Sequence, residues 1–113
     1  MSMKETILGA NDVQRRTVEV PEWGITVTLR GMSGRDRNRF EDAVFKDDEF
    51  TRDNITAKVL VRCIVDEAGN RLFADSDADA LGAKSAAVMT RLADIAKELS
   101  GIGAESVEAE KKS

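Results

Sequence analysis

The 113-residue chain reads as an α+β protein, an N-terminal β-hairpin followed by three principal α-helices and predominantly helical. Two observations carry that expectation. Apolar and polar residues alternate through Thr17-Val18-Glu19-Val20 and again through Ile25-Thr26-Val27-Thr28-Leu29-Arg30, on either side of Pro21-Glu22-Trp23-Gly24. This is the pattern of two strands, each with one apolar face, joined by a turn. Beyond Arg30 the spacing changes to the three-and-four repeat of amphipathic helices. A two-stranded hairpin is marginal in water, so its apolar face must rest on the helices, on another strand or on a second chain.

The elements follow in order. Met3 to Gly9 has weak helical character that Asn11 and Asp12 break, which predicts a frayed lead-in. Ser33-Gly34-Arg35-Asp36 places an acid three residues after a capping serine, opening a helix that runs to about Lys46 with Phe40, Ala43 and Val44 on one face. Asp47-Asp48-Glu49 reads as a polar loop. A second helix, capped by Asp53 or Asn54, runs through Ile55, Val59, Leu60, Cys63 and Ile64, with Val61 and Val65 widening its apolar stripe. That breadth places it centrally, with Leu60 and Phe40 joining the first two long helices. Gly69-Asn70 then turns the chain into a short extended piece, where a small second hairpin fits. Asp75 to Leu81 forms a single turn closed by Gly82 as a C-cap. The last helix starts near Lys84 or Ser85, carries Val88, Leu92, Ile95 and Leu99 on one stripe, and stops at Gly101 and Gly103. Residues 1–103 are read as a single domain, and 104–113 (AESVEAEKKS) as a disordered tail.

Composition narrows the function. Hydrophobic residues are 42% and charged residues 34% of the chain, and no apolar run approaches the roughly 18 residues that span a bilayer. Lys4 is followed at once by Glu5, without the apolar core of a signal peptide, so a soluble, cytoplasmic protein with no membrane association is expected. The net charge of −4 is uneven: −1 over residues 1–14, +3 over 15–39 and −6 over 41–113. The arginines of the basic stretch are interleaved with carboxylates rather than stacking aromatics, which argues against nucleic acid as a partner.

No catalytic, cofactor or metal site emerges. The chain has one cysteine and no histidine, which excludes internal disulfides, the usual zinc sites and His-based triads. Asp75, Asp77 and Asp79 resemble the start of a calcium loop, but Ala80 and Ala86 stand where the turn glycine and bidentate acid belong. Gly101-Ile102-Gly103 follows a helix rather than a strand, so it is a helix stop and not a dinucleotide fingerprint. Cys63 lies on an apolar stripe with no activating base, the setting of an inert thiol. The pairs Glu41/Asp42 and Asp47/Asp48 read as solvated acids.

The candidate partner-binding residues are Trp23, Arg35 and Arg39. Trp23, the only tryptophan, sits at the hairpin turn, where an aromatic either folds back on the core or anchors an interface. Arg35 and Arg39 lie four apart on one helix face, ready to pair with acids of a client or of this chain's own −6 remainder. If instead the last helix covers the hairpin, the chain is a self-sufficient monomer.

These residues also carry a resemblance. Val20-Pro21-Glu22-Trp23-Gly24, the strand Thr26 to Arg30, Met32-Ser33-Gly34-Arg35-Asp36-Arg37 and Phe40-Glu41 resemble the N-terminal half of the tail assembly chaperones of long-tailed bacteriophages and related prophages. Cys63 to Phe73, Asp77 to Leu81, Lys84-Ser85-Ala86-Ala87 and the closing helix resemble the matching half, so the likeness spans about residues 17–103. It implies a non-enzymatic factor of the host bacterial cytoplasm, without cofactors. Such a factor coats the hydrophobic tape measure protein, helps tail tube protein polymerise around it, and is left out of the finished virion. Self-association into a homo-oligomer is the other way for the hairpin's unpaired edges to find partners. No residue role transfers, because the family has no defining functional motif. A minor structural or tail-completion protein of the virion is the alternative of another class, and mass spectrometry of purified particles separates the two.

Overall fold

The structure, a computed structural model, describes residues 2–46 and 49–102. The expectation of a disordered tail over 104–113 lies outside the described residues.

Helix α1 (Met3–Gly9) opens the chain, with the Ser2 hydroxyl accepting from the Glu5 amide at 3.1 Å. It buries none of its side chains. Strands β1 (Arg15–Val20) and β2 (Ile25–Arg30) then pair antiparallel, with Val18 opposite Val27 and Val20 opposite Ile25. Their connection is a single 3₁₀ turn, Pro21–Trp23, closed by Gly24 at φ 67°, a left-handed conformation that glycine adopts without steric cost. At the far end the Gly31 amide donates to the Gln14 carbonyl at 2.9 Å, extending the ladder by one bond.

Helix α2 (Gly34–Val44) has the expected capping box: the Ser33 hydroxyl accepts from the Asp36 amide, and the Asp36 carboxylate from the Ser33 amide. It stops at Val44, short of the expected Lys46. Two-residue strands β3 (Phe45–Lys46) and β4 (Glu49–Phe50) pair where the end of that helix and a polar loop were expected. Phe45 faces Phe50 across that pair with ring centroids 5.3 Å apart, a cross-strand contact that favours extended backbone there.

Helix α3 (Ile55–Cys63) is buried at Ala57 and at every residue from Val59 to Cys63, the charged Arg62 included, as its broad apolar stripe requires of a central helix. It is shorter than expected. Ile64 and Val65 leave the helix to form β5 (Ile64–Val65), which pairs antiparallel with β2 and gives a three-stranded sheet of order β1-β2-β5. The hairpin therefore rests on a third strand as well as on helices. Beyond β5 the second turn does form: Gly69 donates to Asp66, Val65 bridges Arg71, and Leu72 donates to Ile64.

Helix α4 (Ala78–Leu81) follows a 3₁₀ turn at Asp75–Asp77. Gly82 ends it at φ −63°, so its role is space rather than left-handed geometry. A Cβ there would collide with the Asn54 side chain, whose Nδ2 donates to the Ala78 carbonyl at 2.8 Å. Asn54 sits at the cap position of α3, yet its side chain accepts from no α3 amide and instead donates to α4. Helix α5 (Ala86–Leu99) ends in a Schellman motif, with Ile102 donating to Lys97, Gly101 donating to Glu98, and Gly101 at φ 77°.

The core lies between one face of the sheet and the helices. Val20, Val27, Leu29 and Ile64 meet Leu60 and Cys63 of α3 and Val88, Leu92 and Ala96 of α5, while α4 adds Ala78 and Leu81. Leu60 is fully buried, whereas Phe40 is only half-buried at the edge of this cluster.

Candidate functional site

Trp23 is half-buried and packs against the core, while its turn stays at the surface. The preceding Glu22 carboxylate accepts from both Nη atoms of Arg91 on α5 at 2.9 Å each, which fixes the turn over that helix. This bidentate pair holds the Glu22 carboxyl down at about 2, from an ordinary 4.5. A second tie joins Arg16 of β1 to Glu98 at 3.3 Å. The last helix thus covers the inner face of the hairpin. It does not cover all of it, since Ile25, beside Trp23, remains 55% exposed.

Arg35 and Arg39 are exposed on α2, and neither forms an ion pair among the described residues. Trp23 precedes β2 and α2 follows it, so the six-residue length of that strand, about 20 Å, separates the tryptophan from the start of the arginine-bearing helix. The three candidate residues therefore fall on two surfaces.

Sequence reading missed several apolar groups on the surface. Met3, Ile7 and Leu8 of α1 are exposed, as are Phe45 and Phe50, with Arg52 lying 5.9 Å above the Phe50 ring. The signal for α1 was present in its i, i+4 pair Met3/Ile7, but the flanking Asn11 and Asp12 suggested fraying instead. A shallow depression lined by Glu49, Phe50, Thr51, Asp53 and Lys58 adjoins the aromatic pair. Strand β1 has β2 on one side and, among the described residues, no strand on the other. Its Arg15, Arg16 and Glu19 are charged side chains of the kind that discourage indiscriminate edge pairing.

The interior offers little chemistry. Cys63 is fully buried, and that burial pushes its thiol up to about 11, which keeps it protonated at neutral pH. Among the described residues no group of three or more Cys, Asp or Glu is placed to hold a metal, and no helix is long and apolar enough to cross a membrane. What the surface provides is contact area: apolar side chains on short projecting elements, an open strand edge, and unpaired arginines.

Known proteins share this fold and sequence pattern. The solved structure of the bacteriophage HK97 tail assembly chaperone matches with a TM-score of 0.62, over 85% of this chain and 91% of that one, at 22% identity, a likeness of fold. No curated protein sequence matches the chain. A profile of the family described as phage tail assembly chaperone matches residues 2–112. The chain belongs to the phage tail assembly chaperone family.

Proposed function

We propose that this protein binds the tape measure protein of its phage and assists assembly of the tail tube around it, acting in the host cytoplasm as a non-enzymatic factor that does not remain in the virion. Family membership supports the general role, and the observation that carries the reading is α1. A seven-residue helix is too short to hold itself in water, yet this one leaves Met3, Ile7 and Leu8 exposed. Burial against an apolar client supplies the missing stabilisation. Trp23, Arg35 and Arg39 are the side chains assigned to the contact, on the two surfaces described above.

The test is capture of the cognate tape measure protein by immobilised wild type and by Trp23→Ala, both checked for folding by circular dichroism. Capture by wild type that falls with Trp23→Ala supports the assignment. Equal capture removes Trp23 from the interface, and no capture by wild type removes the reading. Peptides of this chain in purified virions would place it among the tail's structural proteins instead.

A further inference from the structure

One hydrogen bond determines which backbone groups the open edge of β1 presents. Gln14 and Gly31 continue the β1–β2 register one position beyond Arg15 and Arg30, and the Gly31 amide donates to the Gln14 carbonyl at 2.9 Å. They are therefore a hydrogen-bonded pair of the antiparallel ladder, and such pairs recur at every second position. The peptide groups of Arg16, Val18 and Val20 accordingly turn towards β2. Those of Arg15, Thr17 and Glu19 point outwards, where neither their N–H nor their C=O groups meet a partner among the described residues. Because Val18 and Val20 face the core, the side chains of these three residues share the outer face of the sheet, and all three are exposed.

The two charged residues of this set are opposite in sign and stand symmetrically about Thr17. Neither Arg15 nor Glu19 forms an ion pair among the described residues. The Arg15 guanidinium lies against Gly69, close enough that a Cβ there would collide with it, but it makes no hydrogen bond, so moving it breaks none. An edge of this kind is self-complementary. When a second copy approaches antiparallel with the two Thr17 residues opposite each other, Arg15 of each chain faces Glu19 of the other. All the outward N–H and C=O groups of both strands then pair in the same register. A slip of one residue sets outward-facing groups against inward-facing ones. A slip of two sets Thr17 opposite Arg15 or Glu19 and leaves the ionic match unmade.

We propose that this protein forms a two-fold dimer by antiparallel pairing of β1 with β1 of a second copy, joining two three-stranded sheets into one. The charges that deter indiscriminate edge pairing select this partner and this register. An extended client segment needs a base and an acid at the same spacing to match the edge; a second copy has them by symmetry. The opposite side of the sheet is flanked by Arg71 and Leu72, which bond to β5, so pairing through the sheet closes at two copies. The inference does not depend on the chaperone reading, because it concerns the protein alone.

The experiment is sedimentation of the full chain over a concentration series, with each variant checked for folding by circular dichroism. Wild type should show a monomer–dimer equilibrium. Arg15→Glu and Glu19→Arg each set like charges opposite one another at both ends of the paired strands, and each should raise the dimer dissociation constant about tenfold. An equimolar mixture of these two variants should recover the dimer, as should the double variant, because both restore opposite charges in this register alone. A merely structural role for either side chain gives no such recovery. Thr17→Pro removes an outward N–H and no bond to β2, so it should abolish the dimer while the hairpin stays folded; if it unfolds the chain, the charge exchange decides. Wild type that stays monomeric overturns the proposal, as does association beyond two copies, association that the single variants leave unchanged, or a mixture that fails to recover. A monomeric wild type whose capture of the tape measure protein is lost in a folded Thr17→Pro variant assigns the edge to the client instead and overturns the dimer.

Discussion

Glu22 and Arg91, 69 positions apart, form a two-pronged ion pair that clips the hairpin turn to the last helix. Because the carboxyl titrates lower in the folded chain than in the unfolded one, the pair stabilises the fold above about pH 4.5. That contribution is lost as the pH falls towards about 2. Melting temperatures of wild type and Glu22→Gln should therefore differ at neutral pH and converge between those limits. Asp75 also has a lowered carboxyl, but it is common to both proteins and cancels in the comparison. A gap that stays constant down to pH 2 would mean that the difference does not come from the ionised Glu22 carboxylate.

Gly31 is needed for space. A Cβ at this position would run into the Leu99 carbonyl, at the point where the Met32 amide donates to the Ser100 hydroxyl at 2.8 Å and the Ser100 hydroxyl donates to the Ala96 carbonyl. Backbone cannot yield as a flexible side-chain tip can, so Gly31→Ala should destabilise by about 1–3 kcal/mol. Gly34→Ala is the control, since a Cβ at Gly34 meets nothing within 4 Å and alanine favours helix. Thermal denaturation should separate the two, with Gly34→Ala neutral or slightly stabilising.

Leu60 and Phe40 both reach the core, but not equally. Leu60→Ala opens a cavity at a fully buried position and should cost about 2–5 kcal/mol. Phe40 is half-exposed and already loses part of its burial energy to solvent, so Phe40→Ala should cost about 2 kcal/mol, some of it from freeing Arg62. Urea titration orders them, and a larger effect at Phe40 would show that α2 rather than α3 organises the core.

The strongest periodic signals in the sequence survive into the structure. The hairpin, the capping box at Ser33 and the Gly101 stop are each local: the residues that determine them are within a few positions of one another. The misreadings depend on distant partners. Ile64 and Val65 continue the helical spacing of Leu60 and Val61, and only the open edge of β2, more than thirty positions earlier, makes strand the better use of these β-branched residues. Asn54 looks like a helix cap because Asn often is one, and its true acceptor is the Ala78 carbonyl. The ion pairs of Asp75 draw on Arg62 of α3 and on the Arg71 turn, so no short window of sequence contains them.

The same contrast sets the last prediction, on α1. Its N-cap and hydrogen bonds are in place, but Ile7 and Leu8 are 65% and 75% exposed and contribute nothing to the core. A double substitution, Ile7→Ser with Leu8→Ser, should leave the melting temperature of the purified protein unchanged, because surface changes away from packed features fall within about 0.5 kcal/mol. If α1 docks on the client, the same variant should lose most of its capture of the tape measure protein, and high salt should not restore that loss, since the contact is apolar. Arg39→Gln, which removes a charge assigned to the same contact, should show its defect mainly at low salt. The two variants thus report on two physically different contacts, and a salt-independent loss confined to the α1 variant identifies this helix as the apolar half of the interface. Full capture by the α1 variant would leave Met3, Ile7 and Leu8 without a role in client binding.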